Sequence, residues 1–221
     1  MLRLHCIGAA AFERRRDRSC SVRAGHAREA RALCAALAAL ALAVATLAPG
    51  AAAAAQPRAH VAAGACAGST LTPSATDAPA VEAATLCLVN KIRTQHGLHR
   101  LRANRYLLDV AASQVTTMVS WDYFSDVRPS GQTPLSLVAV TRYRAHTAGF
   151  AVGQNIAWGT ESFASPEHIV EEWMASAPHR AVILTAKYRD AGVAAEAAIP
   201  GVLRVGRTGA TYAMEFGVRK F

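Results

Sequence analysis

Aromatic side chains are scarce, 6% of 221 residues, while the 15 glycines and nine prolines are close to average. That balance excludes collagen-like and low-complexity disordered classes. The chain contains no Cys-x-x-Cys pair, no His-x-x-x-His pair, no Gly-x-Ser-x-Gly and no phosphate-cradling Gly-rich loop. Their absence argues against a cysteine-held zinc, a helical zinc-protease motif, a hydrolase nucleophile elbow and a nucleotide fold. A concentrated basic face is missing too. The net charge is +9, but residues 1–55 hold eight Lys and Arg against three acids, so +5 belongs to them and +4 to the other 166 residues. So dilute a charge suits solubility rather than a phosphate-tracking surface, and no nucleic-acid partner is expected.

What is present begins with an address. Residues 32–49 read ALCAALAALALAVATLAP without a single charge, arginines precede them, and a run of small residues follows from Gly50 to Ala55. A basic stretch, an apolar stretch and an Ala-x-Ala-like site describe a secretory signal peptide over residues 1–55, and hence a secreted or cell-envelope protein. Residues 1–21 can also be an upstream extension from a mis-called start. The alternative is an uncleaved anchor, for which an alanine-built run of eighteen residues is barely sufficient. Membrane association is expected only in that case. Three cysteines (Cys6, Cys20, Cys34) fall within this region, leaving Cys66 and Cys87. An even pair in an exported chain is a disulfide candidate, with two unrelated buried thiols as the alternative.

Residues 56–80 are rich in Ala, Ser, Thr, Pro and Gly without periodicity, which predicts a linker or arm. Residues 81–221 form one domain, enough for a single core. The apolar spacing predicts helices over 82–96 (stopped by Gly97), from an Asn104 cap to about Val119, from Thr133-Pro134 to Tyr143, and from Ser165-Pro166 to Pro178. Residues 192–199 and 211–218 have strand character around a glycine-rich turn, a hairpin. Helices first and strands last favour an α+β fold with helices on an antiparallel sheet.

Polar candidates are few. Asp126 follows two aromatics just beyond a helix, Gln154-Asn155 is an amide pair inside a glycine-bounded apolar segment, and Ser176 and His179 stand near a helix end. Asp126 and His179 are the best metal ligands in the set, with Gln154 a poor third, whereas zinc commonly needs three or four. Ser176 and His179 are three residues apart, but no acid is evident to orient the imidazole.

The strings LCLVNKIRTQHGLHRLRAN, MVSWDYFSD, GQNIAWG, EEWMASAPHRAVIL and YAMEFG resemble the CAP superfamily (cysteine-rich secretory proteins, antigen 5 and pathogenesis-related 1 proteins, or SCP domains), in its bacterial exported branch. The resemblance spans about Ala84 to Gly217. It implies a three-layer α-β-α sandwich and a cleft lined by histidine and glutamate side chains that can hold a divalent metal, often zinc. By position, Asp126 takes the place of one histidine, Gln154 that of a glutamate, and Ser176 that of a second glutamate seen in eukaryotic relatives, while His179 is retained. A neutral amide cannot act as a general base, and two ligands make a weak site. The resemblance therefore implies a cleft of Asp126, Gln154, Ser176 and His179 that binds a small molecule, a lipid or an envelope component, with no certain cofactor and at most weak divalent metal at Asp126 and His179. A metal-assisted hydrolase of peptides or the cell envelope, and a purely structural disulfide-stabilised envelope module, are the competing expectations.

Overall fold

The computed structural model describes residues 66–221. The signal peptide expected over residues 1–55 and the first ten residues of the expected arm lie outside them. Helix α1 spans Ala78–Gln95, four residues earlier than its spacing predicts, because Pro79 occupies the first turn, where its missing N–H costs nothing. Val81, Leu88, Val89 and Ile92 form its buried stripe. Gly97, at φ +69, closes its C-terminus, with the Leu98 N–H returning to the Arg93 carbonyl. The Asn104 side chain caps α2 (Arg105–Ser120) by accepting from the Tyr106 and Leu107 N–H groups. A reciprocal Thr133–Ser136 capping box starts α3 (Pro134–Ala139), which stops short of Tyr143 and gives way to a single 3₁₀ turn at Arg142–Arg144.

Two elements depart from expectation. Residues 149–160 form a 12-residue strand, β2, where sequence pattern gave only a glycine-bounded apolar segment. Pro178 does not end a helix. Helix α4 (Pro166–Ala175) has already stopped, and Pro178 opens a further short helix, α5 (Ala177–Ile183). With β1 (Arg102–Ala103), β3 (Asp190–Glu196) and β4 (Gly209–Lys220), the sheet runs β1-β3-β4-β2. The β3–β4 hairpin and the β2–β4 pair are antiparallel, and the two-residue β1 lies parallel to β3.

Strand alternation sends successive side chains to opposite layers. Val152, Ile156, Ala194 and Ala213 pack toward α2 and α3. Ala157, Val193, Tyr212, Met214 and Phe216 pack toward α1, α4 and α5 around the buried Trp173. The result is the helix–sheet–helix sandwich in which both faces of the sheet are covered. Helix α2 lies so close to β3 that a Cβ on Gly192 would stand 2.0 Å from the Leu108 nitrogen and 2.2 Å from the Leu107 carbonyl carbon. Backbone cannot swing aside as a side chain can. Gly192→Ala is thus expected to destabilise by about 3 kcal/mol, the upper part of the overpacking range, read as a lowered urea midpoint. An unchanged midpoint would show that α2 can ride outward at little cost.

The Cys66–Cys87 disulfide joins the first described residue to α1, with Cα atoms 5.8 Å apart and 21 residues of separation. A loop of that size is worth about 3 kcal/mol in the chain-entropy account. No helix among the described residues is long and apolar enough to cross a membrane.

Candidate functional site: a buried cluster of polar side chains

Four polar side chains with unpartnered atoms come from four segments of the chain. Asp126 is 2% exposed, just past the turn that ends α2, and neither of its carboxylate oxygens has a partner. Its segment is stitched to α2. The Gln114 amide donates to the Ser125 carbonyl (2.9 Å), and Arg128 donates to the Gln114 Oε1 (3.1 Å) and to the Ser113 hydroxyl (2.8 Å). Tyr123 and Phe124 pack against the cluster in which α2 meets Ile156 and Ala213, which brings this segment to the α2 side of the sheet.

Gln154 lies between Val152 and Ile156 in the alternation of β2 and shares their face, the same α2 side. Directly opposite in register, on β4, is Glu215. Glu215 is fully buried, and the Gln154 Nε2 donates to its Oε1. That leaves the Gln154 Oε1 and the Glu215 Oε2 without donors. Burial pushes the Asp126 carboxyl up to about 7. It pushes Glu215 up to about 8, opposed by the Gln154 hydrogen bond, reinforced by the Asp126 charge and opposed again by Arg128.

His179 is 2% exposed on α5, with its Nδ1 unpartnered and its pKa lowered by burial. Its link to β2 runs through Asn155, the residue after Gln154. The Asn155 amide donates to the His179 carbonyl at 3.1 Å. Asn155 points to the α4–α5 side, away from Gln154, and its own Oδ1 lacks a donor. Ser176 occupies the N-cap position of α5, and its carbonyl accepts the Arg180 N–H at 2.9 Å. The structure thus gathers Gln154, Asp126 and a residue the motifs did not flag, Glu215, and ties His179 to the neighbouring position by its main chain. A carboxylate inside the apolar run TYAMEFGV was the available signal for Glu215, because a lone buried charge demands a partner.

Among the described residues, no three His, Cys, Asp or Glu side chains gather in a way that could hold a metal ion. Two carboxyls that favour the protonated form and one amide do not fit the nitrogen-and-sulfur-rich tetrahedral set typical of structural zinc.

The profile of the cysteine-rich secretory protein family, the CAP domain, matches residues 86–198, and the chain belongs to that family. Among solved structures it is similar to an outer surface protein from Borrelia burgdorferi (16% identity, 61% of this chain and 90% of that one, TM-score 0.49). It is also similar to an extracellular SCP-domain protein from Bacillus anthracis (21%, 66% and 44%, TM-score 0.47) and a cysteine-rich secretory protein from Staphylococcus aureus (20%, 65% and 40%, TM-score 0.44). The chain spans less than half the length of the latter two. No curated protein matches it.

Proposed function

We propose that this is an exported CAP-domain protein that acts by binding, taking a small molecule, a lipid or an envelope component in a cleft centred on Asp126 and Gln154, with Ser176 and His179 supplied from α5 across β2. One observation carries the reading: both oxygens of Asp126, the Gln154 Oε1 and the His179 Nδ1 are buried without partners. Buried polar atoms are normally paired, and each one left unpaired costs about 1–3 kcal/mol, so such a set is complete only with a ligand or ordered water. A catalytic reading lacks its parts. The position that would carry a general base is the amide of Gln154, and the raised pKa of Asp126 keeps much of that carboxyl protonated at neutral pH. Export is supported by the charge-free run at residues 32–49 and by the Cys66–Cys87 bridge, which suits an oxidising compartment.

The test uses protein purified from cells expressing the full chain and radiolabelled phospholipid and fatty-acid extracts of the same envelope. Saturable capture that falls at least tenfold in a Gln154→Leu variant supports the reading. The absence of saturable capture favours a structural module, and zinc-stimulated cleavage of peptide or envelope polymer by the wild type overturns the proposal in favour of an enzyme.

A further inference from the structure

Strand β3 runs for seven residues, but its outer neighbour β1 pairs only with the first two, Asp190 and Ala191. Asn104 caps α2 immediately after β1, so the chain leaves the sheet there, and among the described residues no further strand continues along that edge. Two hydrogen bonds show which main-chain groups of β3 face outward. The Ala191 carbonyl accepts from the Asn104 N–H at 2.8 Å, and the Ala195 N–H donates to the Glu82 Oε1 of α1 at 3.3 Å. Midway between them, the N–H and C=O of Val193 face the same way by strand alternation. Neither meets a main-chain partner on that side among the described residues. An edge left in this state is a template for another strand.

A cavity of about 400 Å³ lies over the edge, between α1 and α2. Ala83 and Leu86 from α1, Leu108 from α2 and Val193 itself give it apolar walls. Leu108 is one of the few large apolar side chains left exposed among the described residues. One carboxylate stands in this setting. Glu82 is half-buried, and no ion pair joins it to a Lys or Arg among the described residues. Burial raises its pKa, opposed by the Ala195 hydrogen bond. Arg105, the cation on the cavity wall, is turned to the hydroxyl (3.1 Å) and the ring (4.7 Å) of Tyr106 instead.

We propose that the outer edge of β3, between α1 and α2, is a docking groove for an extended basic peptide, which adds a short strand beside Val193 and sets a lysine or arginine side chain against Glu82. Each observation selects one property of the occupant. The outward N–H and C=O of Val193 ask for a peptide main chain. The apolar walls suit the aliphatic stem of a long basic side chain, and the Glu82 carboxylate suits its charged head. In the sheet order β4 separates this edge from β2, so the groove is distinct from the cluster at Gln154 and does not depend on the reading given for it.

The experiment is fluorescence anisotropy of the labelled hexapeptide acetyl-Val-Lys-Val-Lys-Val-Lys-amide titrated with the full chain. Saturable binding of one peptide per chain is expected. The same peptide with alternate amides N-methylated, and its counterpart with glutamate in place of lysine, should each bind about tenfold more weakly or worse. Glu82→Gln can still accept the Ala195 hydrogen bond, and Ala83→Arg fills the groove from an exposed helix position, so both should keep the wild-type thermal midpoint. Each should weaken binding about tenfold or more, the scale of losing one partner of a buried charge pair or the room for it. Glu171→Gln, on α4, should bind as wild type does. No saturable binding by the wild type, undiminished binding of the N-methylated or glutamate peptide, or equal binding by wild type and both groove variants overturns the proposal. A wild-type dimer in sedimentation velocity that Ala83→Arg dissolves would assign the edge to a second copy and overturn it likewise. Envelope-lipid capture without peptide binding removes this inference alone, and peptide binding without capture removes only the cleft reading.

Discussion

Arg93→Ala is expected to cost roughly 4–6 kcal/mol, enough to unfold many domains of this size, from losing several charge-assisted hydrogen bonds worth about 1.5–3 kcal/mol each without full additivity. Arg93 lies in α1 and is fully buried. Its Nε donates to the His99 carbonyl at 3.0 Å. Its Nη1 donates to Ile183 at 2.5 Å and Thr185 at 3.1 Å, and its Nη2 to Tyr188 at 3.2 Å. Every one of these acceptors is a main-chain carbonyl. One side chain therefore satisfies the loop after α1, the end of α5 and the approach to β3, three stretches with no regular ladder of their own. Truncation strands those carbonyls and leaves a void. Arg93→Lys keeps the charge but has no planar fork to reach three segments, so it should recover only part of the loss. Urea unfolding checks both variants. A midpoint for Arg93→Ala within the wild-type error would mean that water replaces the guanidinium at no cost, and the hub would be incidental. Asn90, one turn earlier, does a similar job by exchanging two hydrogen bonds with the Leu101 main chain.

The second large effect is a dependence of stability on pH that runs opposite to ordinary acid denaturation. Asp126 and Glu215 have folded-state pKa values of about 7 and about 8, above the usual carboxylate range. Below pH 4 both forms of the chain are protonated there, and these groups impose no penalty. As pH rises, the unfolded chain releases its protons near pH 4 while the folded chain retains them. The folded state then binds more protons, so stability falls steadily until the pH passes 7 to 8 and levels off beyond. Because the two carboxyls are coupled, the loss belongs to the pair and is less than the sum of two independent groups. In chelator-containing buffer, the wild-type thermal midpoint should therefore drop between pH 5 and pH 9. Glu215→Gln should melt higher than wild type at pH 9 and show a flatter profile. If the two profiles are parallel, Glu215 holds its proton equally well in the folded and unfolded chain, and burial does not raise it.

Some of this was legible in the residues and some was not, for identifiable reasons. The Asn104 cap, the Thr133-Pro134 helix start and the final hairpin carry local chemistry that decides local structure, and they stand where spacing put them. The β2 strand carries no such mark. Both faces of Gly149–Thr160 are covered, so the polar–apolar alternation that reveals a half-exposed strand is absent. Pro178 was ambiguous by nature, because proline both stops a helix and starts one, and only the break at Ser176 selects the second role. For the site, Asp126, Gln154 and His179 stood out as the few polar groups set among apolar neighbours, and positional likeness to the family joined them into one set. Glu215 belongs to the same cluster only because the β2–β4 register sets it against Gln154, and register is a long-range property. The Gly192 requirement is equally silent in sequence, since it reflects how closely α2 descends on β3.

The bridge between Cys66 and Cys87 has a mechanical meaning for whatever precedes residue 66. Tension drawn through the polypeptide at that point enters the domain at the sulfur link and passes straight to the middle of α1, bypassing residues 67–86. The first turns of that helix are thereby shielded from being peeled off the sheet, and a protein tethered by its leading end would hold its folded body as a rigid load on a covalent leash.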